Sequence, residues 1–425
     1  MSKRLAGLAS VAALGVALCG AALLNPAPAG AAAGQNCVKP GQSHPEAPWA
    51  QQMLGPQRAW PLASGGHVTV AVLDSGVDAK NQPQLRDRVT DGTDFIDAKT
   101  KGVVDCTGHG TQVAGIIGAQ ARTGIAFRGF APDVHLLSAR VSDAENGSGQ
   151  SAGTAGLAQA IDWAVQRQAD VINISLTTLA DDAVLRDAVA RAVAANVVIV
   201  AAAGNSGSAA DGNPVVYPAA YPGVIGVGAI DMTGHRWEQS GHRRFVDLVA
   251  PGVDVISTQA GGGQVSGLNG TSYAAAFVSG TAALVRGANP TMRAEDVARR
   301  LYATATPAPG GVDSDEYGNG IVNPYSAVFD RTADTRPSVL PGLSPSPADR
   351  AGLARVAAWQ DSGRLAAGLT ATAVLVALAV LGVAKALPLG RRRRWRARMA
   401  AQVRDDPEDE QVPVPVQLFD EDAEG

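Results

Sequence analysis

The chain has little net charge, few aromatic residues and few cysteines. Its 425 residues carry 35 Lys and Arg against 39 Asp and Glu, a formal net charge of −4, so overall charge indicates no nucleic-acid partner. Aromatic residues make up only 4% of the chain, whereas Ala, Gly and Val are abundant. This composition fits a parallel sheet covered on both faces by helices with small side chains. The sequence shows no clear calcium site, and we expect neither a metal nor a cofactor.

The start of the chain differs in character from its middle. Two basic residues precede an uncharged apolar run over residues 5–24, and the small residues that follow suit cleavage near Ala33. The pattern predicts a secretory signal peptide over residues 1–33, with an uncleaved anchor helix as the alternative. A lipid anchor on Cys19 is disfavoured, because Leu18 is larger than the residue that a lipoprotein signal prefers at that position.

The chain contains only three cysteines. Removal of the predicted signal peptide takes away Cys19 and leaves Cys37 and Cys106. Two cysteines in an exported protein usually pair, so we expect a disulfide between them. Such a bridge would fasten the N-terminal segment beside His109, three residues after Cys106; two free thiols are the alternative.

A second uncharged apolar run lies near the end of the chain. A helix over residues 365–384 would span about 30 Å, the thickness of the hydrocarbon core of a bilayer. The arginine-rich run at residues 391–398 follows it, as is typical of the cytoplasmic flank of a membrane helix. Such a run could also bind nucleic acid, but its position favours the membrane. We expect a transmembrane helix over residues 365–387 and a cytoplasmic flank with a disordered acidic tail over residues 388–425.

Between these ends, apolar segments of strand length alternate with segments of helical periodicity. This alternation predicts an α/β fold with a mostly parallel central sheet and helices on both faces. We place it in residues 67–330, after an N-terminal arm over residues 34–66 and before a Pro-containing linker over residues 331–364. Strands are expected at residues 67–73, 134–141, 171–176, 197–203, 223–230 and 246–249, and helices at residues 107–121, 151–168, 180–195, 272–286 and 293–303.

Three short motifs each place a reactive side chain among small residues. They are V-A-V-L-D-S-G with Asp74, G-H-G-T with His109 and G-T-S-Y-A-A with Ser272. A serine hydroxyl is a weak nucleophile until a base takes its proton. A histidine, with an unperturbed pKa of about 6.5, is a suitable base and acid near neutral pH. A carboxylate at the end of an apolar strand is costly unless it has a partner, and orienting His109 would supply one.

Each candidate also has a structural explanation when taken alone. Ser272 could be a helix N-cap, His109 an ordinary structural histidine and Asp74 part of an Asx-turn. Asn205, which ends the small-residue run A-A-A-G-N, could belong to an Asn-Ser-Gly turn. Because all four occur in one chain, we favour catalysis over four independent coincidences.

The order Asp, His, Ser and the residues around each of them resemble the subtilase family, over about residues 68–328. The resemblance implies a subtilisin-like three-layer fold and peptide-bond hydrolysis by a triad of Asp74, His109 and Ser272. It also implies that the Asn205 amide donates a hydrogen bond to the oxyanion.

The same resemblance implies where substrate binds. Ser175, Leu176 and Thr177 would pair with an extended substrate as an added strand. Ala202, Ala203 and Gly204 would line the pocket for the residue before the cut. Thr177 departs from the glycine usual in the family, so we expect a narrower specificity or a slower turnover.

The short arm, the run D-C-T-G-H-G, the Pro-containing linker and the C-terminal apolar helix together resemble the mycosins, membrane-anchored subtilases associated with type VII secretion. This implies a membrane-anchored extracytoplasmic serine endopeptidase that processes secreted proteins and is associated with a type VII secretion complex. A scaffold subunit whose catalysis is dispensable is the alternative from a different class. A degradative surface protease unconnected to secretion is a further alternative.

Overall fold

The structure is a computed structural model, and the parts of the chain that it describes are residues 37–98, 100–143, 149–330, 373, 380–385 and 387–388. The chain divides into two compact units, Met1–Pro341 and Gly342–Gly425. The predicted signal peptide, linker and acidic tail, and most of the predicted transmembrane segment, lie outside the described residues. Within the described part, no helix has the length and apolar character needed to cross a membrane.

Seven strands form one parallel sheet in the order β2-β3-β1-β4-β5-β6-β7, and two further strands form an antiparallel hairpin. The sheet strands are β1 Thr69–Asp74, β2 Val89–Asp94, β3 His135–Arg140, β4 Val171–Ile174, β5 Val198–Ala202, β6 Val224–Ile230 and β7 Leu248–Pro251, and the hairpin strands are β8 Val255–Thr258 and β9 Gln264–Leu268. The helices are α1 Trp49–Leu54, α2 His109–Gly118, α3 Gly153–Gln166, α4 Ala183–Ala194, α5 Thr271–Ala288, α6 Ala294–Ala303 and α7 Pro324–Phe329, with a 3₁₀ turn at Pro56–Arg58.

The side chains of the central strands alternate between two separate cores. In β1, Val70 and Val72 belong to the core that contains α2 and α5. Ala71 and Leu73 point the other way, into the core that contains α3 and α4. A strand buried on both faces is expected for a parallel sheet covered by helices. The structure therefore has the α/β fold with a mostly parallel central sheet that the sequence predicted.

Helix α5 runs through the interior, and residues 271–286 are all buried. Its small side chains let neighbouring elements approach closely. A Cβ at Gly280 would lie 2.7 Å from the Cβ of Phe130, so only glycine fits at this crossing. This packing fixes the helix whose first turn carries Ser272.

Some elements lack a signal that the sequence analysis could use. Strand β2 has the sequence V-T-D-G-T-D and lies at an edge of the sheet, so it needs no apolar periodicity. The hairpin β8–β9 and the short helices α1 and α7 were not predicted either. Helix α1 lies inside the predicted arm, where Ala50, Leu54 and Ala59 are buried in the α2–α5 core.

The beginning of the arm is fastened to the α/β domain by a disulfide and by backbone hydrogen bonds. Cys37 and Cys106 form a disulfide with their Cα atoms 4.4 Å apart. The Val38 amide donates to the Cys106 carbonyl at 2.9 Å. The backbones of Gln42 and Gln264 exchange two hydrogen bonds, at 2.8 and 2.7 Å, which adds the arm to the hairpin. The arm is thus an integral part of the fold.

We predict that replacing Cys37 and Cys106 together by serine lowers the free energy of unfolding by about 4 kcal/mol, because the bridge closes a long loop in the unfolded chain. Urea unfolding measures this loss, and limited proteolysis follows the arm. The start of the arm should become sensitive to protease in the variant, or in the wild type after reduction. An arm that stays equally resistant in both cases would contradict the role given to the bridge.

Candidate active site

The predicted reactive residues meet at the carboxyl edge of the parallel sheet. Asp74 is the last residue of β1, and Ser175 directly follows β4, the neighbouring strand. His109 begins α2, and Ser272 lies in the first turn of α5. In open α/β sheets, the crevice outside the carboxyl ends of the strands is the usual place for a site.

A continuous hydrogen-bond chain joins the three predicted triad residues. The Nδ1 atom of His109 lies 2.7 Å from Oδ1 of Asp74, and its Nε2 atom lies 2.9 Å from Oγ of Ser272. Asp74 is almost completely buried, whereas His109 is partly exposed. This is the geometry in which a histidine can take a proton from the serine while the carboxylate holds its other nitrogen.

The Asp74 carboxylate is held in its ionised form. Burial by itself raises its pKa, but the charge and hydrogen bond of His109, the Ser75 amide at 2.7 Å and the Ser175 hydroxyl together bring the pKa below its ordinary value. A lowered pKa favours folding above the unfolded value, and that contribution is lost as the pH falls through the folded value. Asp74 therefore stays charged throughout the range in which a histidine acts as a base.

A second buried carboxylate organises the loop in front of His109. Asp105 accepts hydrogen bonds from the amides of Gly108 and Thr111, both at 2.8 Å. It also accepts hydrogen bonds from the hydroxyls of Thr111 at 2.7 Å, Ser75 at 3.0 Å and Thr107 at 3.1 Å. Burial raises the pKa of Asp105 despite these donors. Ser75 directly follows Asp74, and Gly108 directly precedes His109. By accepting hydrogen bonds from both neighbours, Asp105 fixes the position of the Asp74 carboxylate relative to the His109 imidazole.

Asn205 is oriented by the residue before the predicted nucleophile. Its Oδ1 atom accepts hydrogen bonds from the backbone amide and the hydroxyl of Thr271, at 3.0 and 2.9 Å, so Nδ2 points away from Thr271. A Cβ built on Gly270 would lie 3.1 Å from Oγ of Ser272 and 3.5 Å from Nδ2 of Asn205. The hydroxyl and the amide donor thus face one small space, as a nucleophile and an oxyanion donor must.

The residues predicted to bind substrate fall into two groups. Ser175 and Leu176 line a cavity of about 240 Å³ at the triad, together with Thr107, Ser142, Asp143, Asn205 and Asn269. Thr177 is exposed, whereas Ala202, Ala203 and Gly204 are buried, and none of these four lines the cavity. The assignment of all six to substrate binding remains a prediction. Within the described part of the chain, no group of three or more His, Cys, Asp or Glu side chains could hold a metal ion.

Some residues that shape the site escaped the sequence analysis. Asp105 and Ser75 stand inside the recognised motifs, but nothing in the sequence shows that they contact each other. Tyr273 directly follows Ser272, and its ring lies 5.4 Å from the His109 ring between centroids. The position of Tyr273 directly after the predicted nucleophile could have indicated its role, because a large side chain there lies close to the reacting groups.

The comparisons with known proteins identify the family. Residues 65–320 match the model of the subtilase family, Peptidase_S8. Subtilisin E of Bacillus subtilis (strain 168) is 38% identical over 264 residues, 62% of this chain and 66% of that protein, so the chain spans just under two thirds of its length. Subtilisin DY of Bacillus licheniformis is 39% identical over 263 residues, 62% of this chain and 91% of that protein.

Solved structures of mycosins are also similar. The crystal structure of MycP1 from Mycobacterium smegmatis matches with a TM-score of 0.63 at 32% identity, covering 73% of this chain and 93% of that one. The structure of the MycP3 protease from the type VII (ESX-3) secretion system matches with a TM-score of 0.61 at 34% identity, covering 69% and 92%.

We predict that Asp105→Asn lowers the free energy of unfolding by about 3 kcal/mol. The groups around Asp105 all donate hydrogen bonds to its carboxylate, and the NH₂ group of asparagine cannot accept them. Urea unfolding measures the change. Asp133→Asn is the matched control, since Asp133 forms a partly exposed ion pair with Arg88 at 3.1 Å and such pairs contribute little. Equal losses in the two variants would show that Asp105 does not organise this loop.

Proposed function

Because this chain belongs to the subtilase family, we propose that it is a serine endopeptidase in which Asp74, His109 and Ser272 are the catalytic residues. The observation that carries the proposal is the unbroken hydrogen-bond chain, 2.7 Å from Asp74 to His109 and 2.9 Å from His109 to Ser272. Family membership alone would not supply this, since a family fold can lose its catalytic residues.

The proposed mechanism follows from which atoms face one another. The Oγ atom of Ser272 attacks the carbonyl carbon of the peptide bond, and Nε2 of His109 accepts the hydroxyl proton. Asp74 keeps the proton on Nδ1 and stabilises the imidazolium. The negative charge that develops on the carbonyl oxygen is received by Nδ2 of Asn205 and by the backbone N–H of Ser272 in the first turn of α5.

The tetrahedral intermediate then collapses, and in this step the proton moves away from His109. His109 returns its proton to the leaving amine, and an acyl-enzyme remains on Ser272. A water molecule, deprotonated by His109, hydrolyses this ester and restores the hydroxyl. The reaction needs no metal or cofactor, because every proton transfer is made by His109.

We propose that substrate lies extended along Ser175, Leu176 and Thr177, with the side chain before the cut directed toward Gly204. Two side chains lie within van der Waals distance of a Cβ placed on Gly204. A Cβ there would lie 3.4 Å from Cγ1 of Val216 and 3.8 Å from Cγ2 of Thr177. Val216 and Thr177 are therefore the side chains that border this face of Gly204.

The catalytic assignment predicts a graded effect on peptide hydrolysis. Asn205→Ala should lower kcat by about 10² to 10³ with KM little changed, because the amide binds the oxyanion and not the ground-state substrate. Ser272→Ala should reduce hydrolysis to the background rate. Steady-state kinetics on an unstructured protein such as casein, and on peptides derived from it, measures both. Wild-type hydrolysis that survives Ser272→Ala would contradict the assignment.

We further propose that the enzyme is anchored in the membrane and is associated with a type VII secretion system. A solved relative, MycP1, is described as a serine protease that is an essential component of the type VII (ESX-1) secretion system. The predicted signal peptide over residues 1–33 and the apolar segment over residues 365–387, with its arginine-rich flank, support an extracytoplasmic catalytic domain and a cytoplasmic tail.

We predict that cells lacking this chain fail to export their type VII substrates, and that the full chain, but not a chain ended after Pro341, fractionates with membranes and restores export. Immunoblots of membrane, soluble and culture-filtrate fractions measure both effects. Ser272→Ala in the full chain separates the two functional classes. If it restores export completely, the chain serves secretion as a scaffold; if the deletion leaves export unchanged, the type VII proposal is wrong.

A further inference from the structure

The imidazole of His109 is held at both nitrogens, and a third neighbour packs beside the ring. That neighbour is Tyr273, which is only 6% exposed and whose ring is tilted by 46° to the imidazole. Tyr273 follows Ser272 in the first turn of α5. The same turn therefore carries both the proposed nucleophile and the side chain that packs beside the proposed base.

The Tyr273 hydroxyl is tied to the helix that carries His109. It donates to Oε1 of Gln112 at 2.8 Å, and Gln112 lies in α2, three residues after His109. The amide of Gln112 in turn donates from Nε2 to Oε1 of Gln259 at 3.0 Å. All three side chains are buried, where each polar group needs its partner. We call this chain of hydrogen bonds the Tyr273–Gln112–Gln259 chain.

The far end of the chain rests on the hairpin β8–β9. Gln259 directly follows β8; its backbone N–H donates to Gly263 at 3.0 Å, and its carbonyl accepts from Nε2 of Gln82 at 2.9 Å. The side chains of Ser257 and Thr258 donate to two carbonyls in the first turns of α2, at 2.5 and 2.8 Å. The hairpin thus gives α2 and the buried amides a common, fixed support.

The residue before His109 contacts the same chain. Gly108 has a φ of +87°, and a Cβ there would lie 2.8 Å from Oε1 of Gln259 and 3.3 Å from Nε2 of Gln112. Glycine both adopts this conformation and leaves room for the two amides. The Tyr273–Gln112–Gln259 chain therefore borders His109 on both sides along the sequence, at Gly108 and at Gln112.

We propose that Tyr273 is a positioning residue, which uses the Tyr273–Gln112–Gln259 chain to fix the imidazole of His109 relative to the hydroxyl of Ser272. This inference rests on the proposed protease function and deepens it. The phenol joins α5, which carries the nucleophile, to α2, which carries the base, by a single buried hydrogen bond. Misplacing reacting groups by a fraction of an ångström slows the chemical step without weakening substrate binding.

The test removes that hydrogen bond from either end in the full-length protein. Tyr273→Phe keeps the ring but leaves Oε1 of Gln112 without its donor, and Gln112→Leu removes the acceptor. Both should lower kcat on casein-derived peptides by about tenfold and change KM by less than about twofold, because the Tyr273 ring, which lines the cavity at the triad, is kept in both variants.

Tyr221→Phe is the matched control. Tyr221 is equally buried, and its hydroxyl makes two hydrogen bonds to the backbone of Asp182, at 3.0 and 3.1 Å, beneath the start of α4. Its loss should lower stability and leave kcat unchanged. A kcat that is the same for Tyr273→Phe and the wild type, or that falls equally in Tyr221→Phe, would overturn the inference.

Hydrogen–deuterium exchange separates this result from a failure of the proposed function. The amides of Gly110, Thr111 and Gln112 are protected by hydrogen bonds to Ser75, Asp105 and Gly108. If the wild type proves inactive, the proposed function fails, but Tyr273→Phe should still speed exchange in this first turn of α2 more than Tyr221→Phe does. Equal exchange in the two variants would overturn the positioning role regardless of activity.

Discussion

The buried carboxylate of Asp74 is the constraint on which the site depends. An ionised group at the end of a central strand is tolerated only when charge and hydrogen bonds replace the water that it has lost. His109 and the Ser75 amide supply them at 2.7 Å each. Because His109 must be at that point, α2 must begin there, and α5 must bring Ser272 to its other nitrogen. The packing of the two helices in one core satisfies both requirements at once.

The elements around α2 act together to keep its first turn in place. Asp105 holds the loop before it, Ser257 and Thr258 of the hairpin donate hydrogen bonds to its carbonyls, and the disulfide fastens the arm at Cys106, next to Asp105. The arm pairs with the hairpin through Gln42 and Gln264. The N-terminal segment, the hairpin and the helix that carries the proposed base therefore form one continuous support, which explains how a segment with so little periodicity is held against the fold.

The sequence predicted the features whose signal is local. Strand β1 and strand β5 are apolar runs that end at Asp74 and near Asn205, and the motifs around His109 and Ser272 are contiguous. The polar edge strand β2 could not be found in this way, because one apolar residue in six carries no periodic signal. Nor could the contact between Tyr273 and Gln112, which lie 161 residues apart and meet only because α2 and α5 pack together. Two side chains so distant in the chain show no pattern until the fold is known.

The central claim is that Asp74, His109 and Ser272 form an assembled, working nucleophile. Reaction of the full-length protein with a fluorophosphonate, followed by peptide mapping in a mass spectrometer, tests it most directly, since such reagents react far faster with an activated serine than with an ordinary hydroxyl. We expect one adduct, located on Ser272, which is lost in Ser272→Ala and in His109→Ala. A folded protein that forms no adduct, or that forms it on another residue, would contradict the claim.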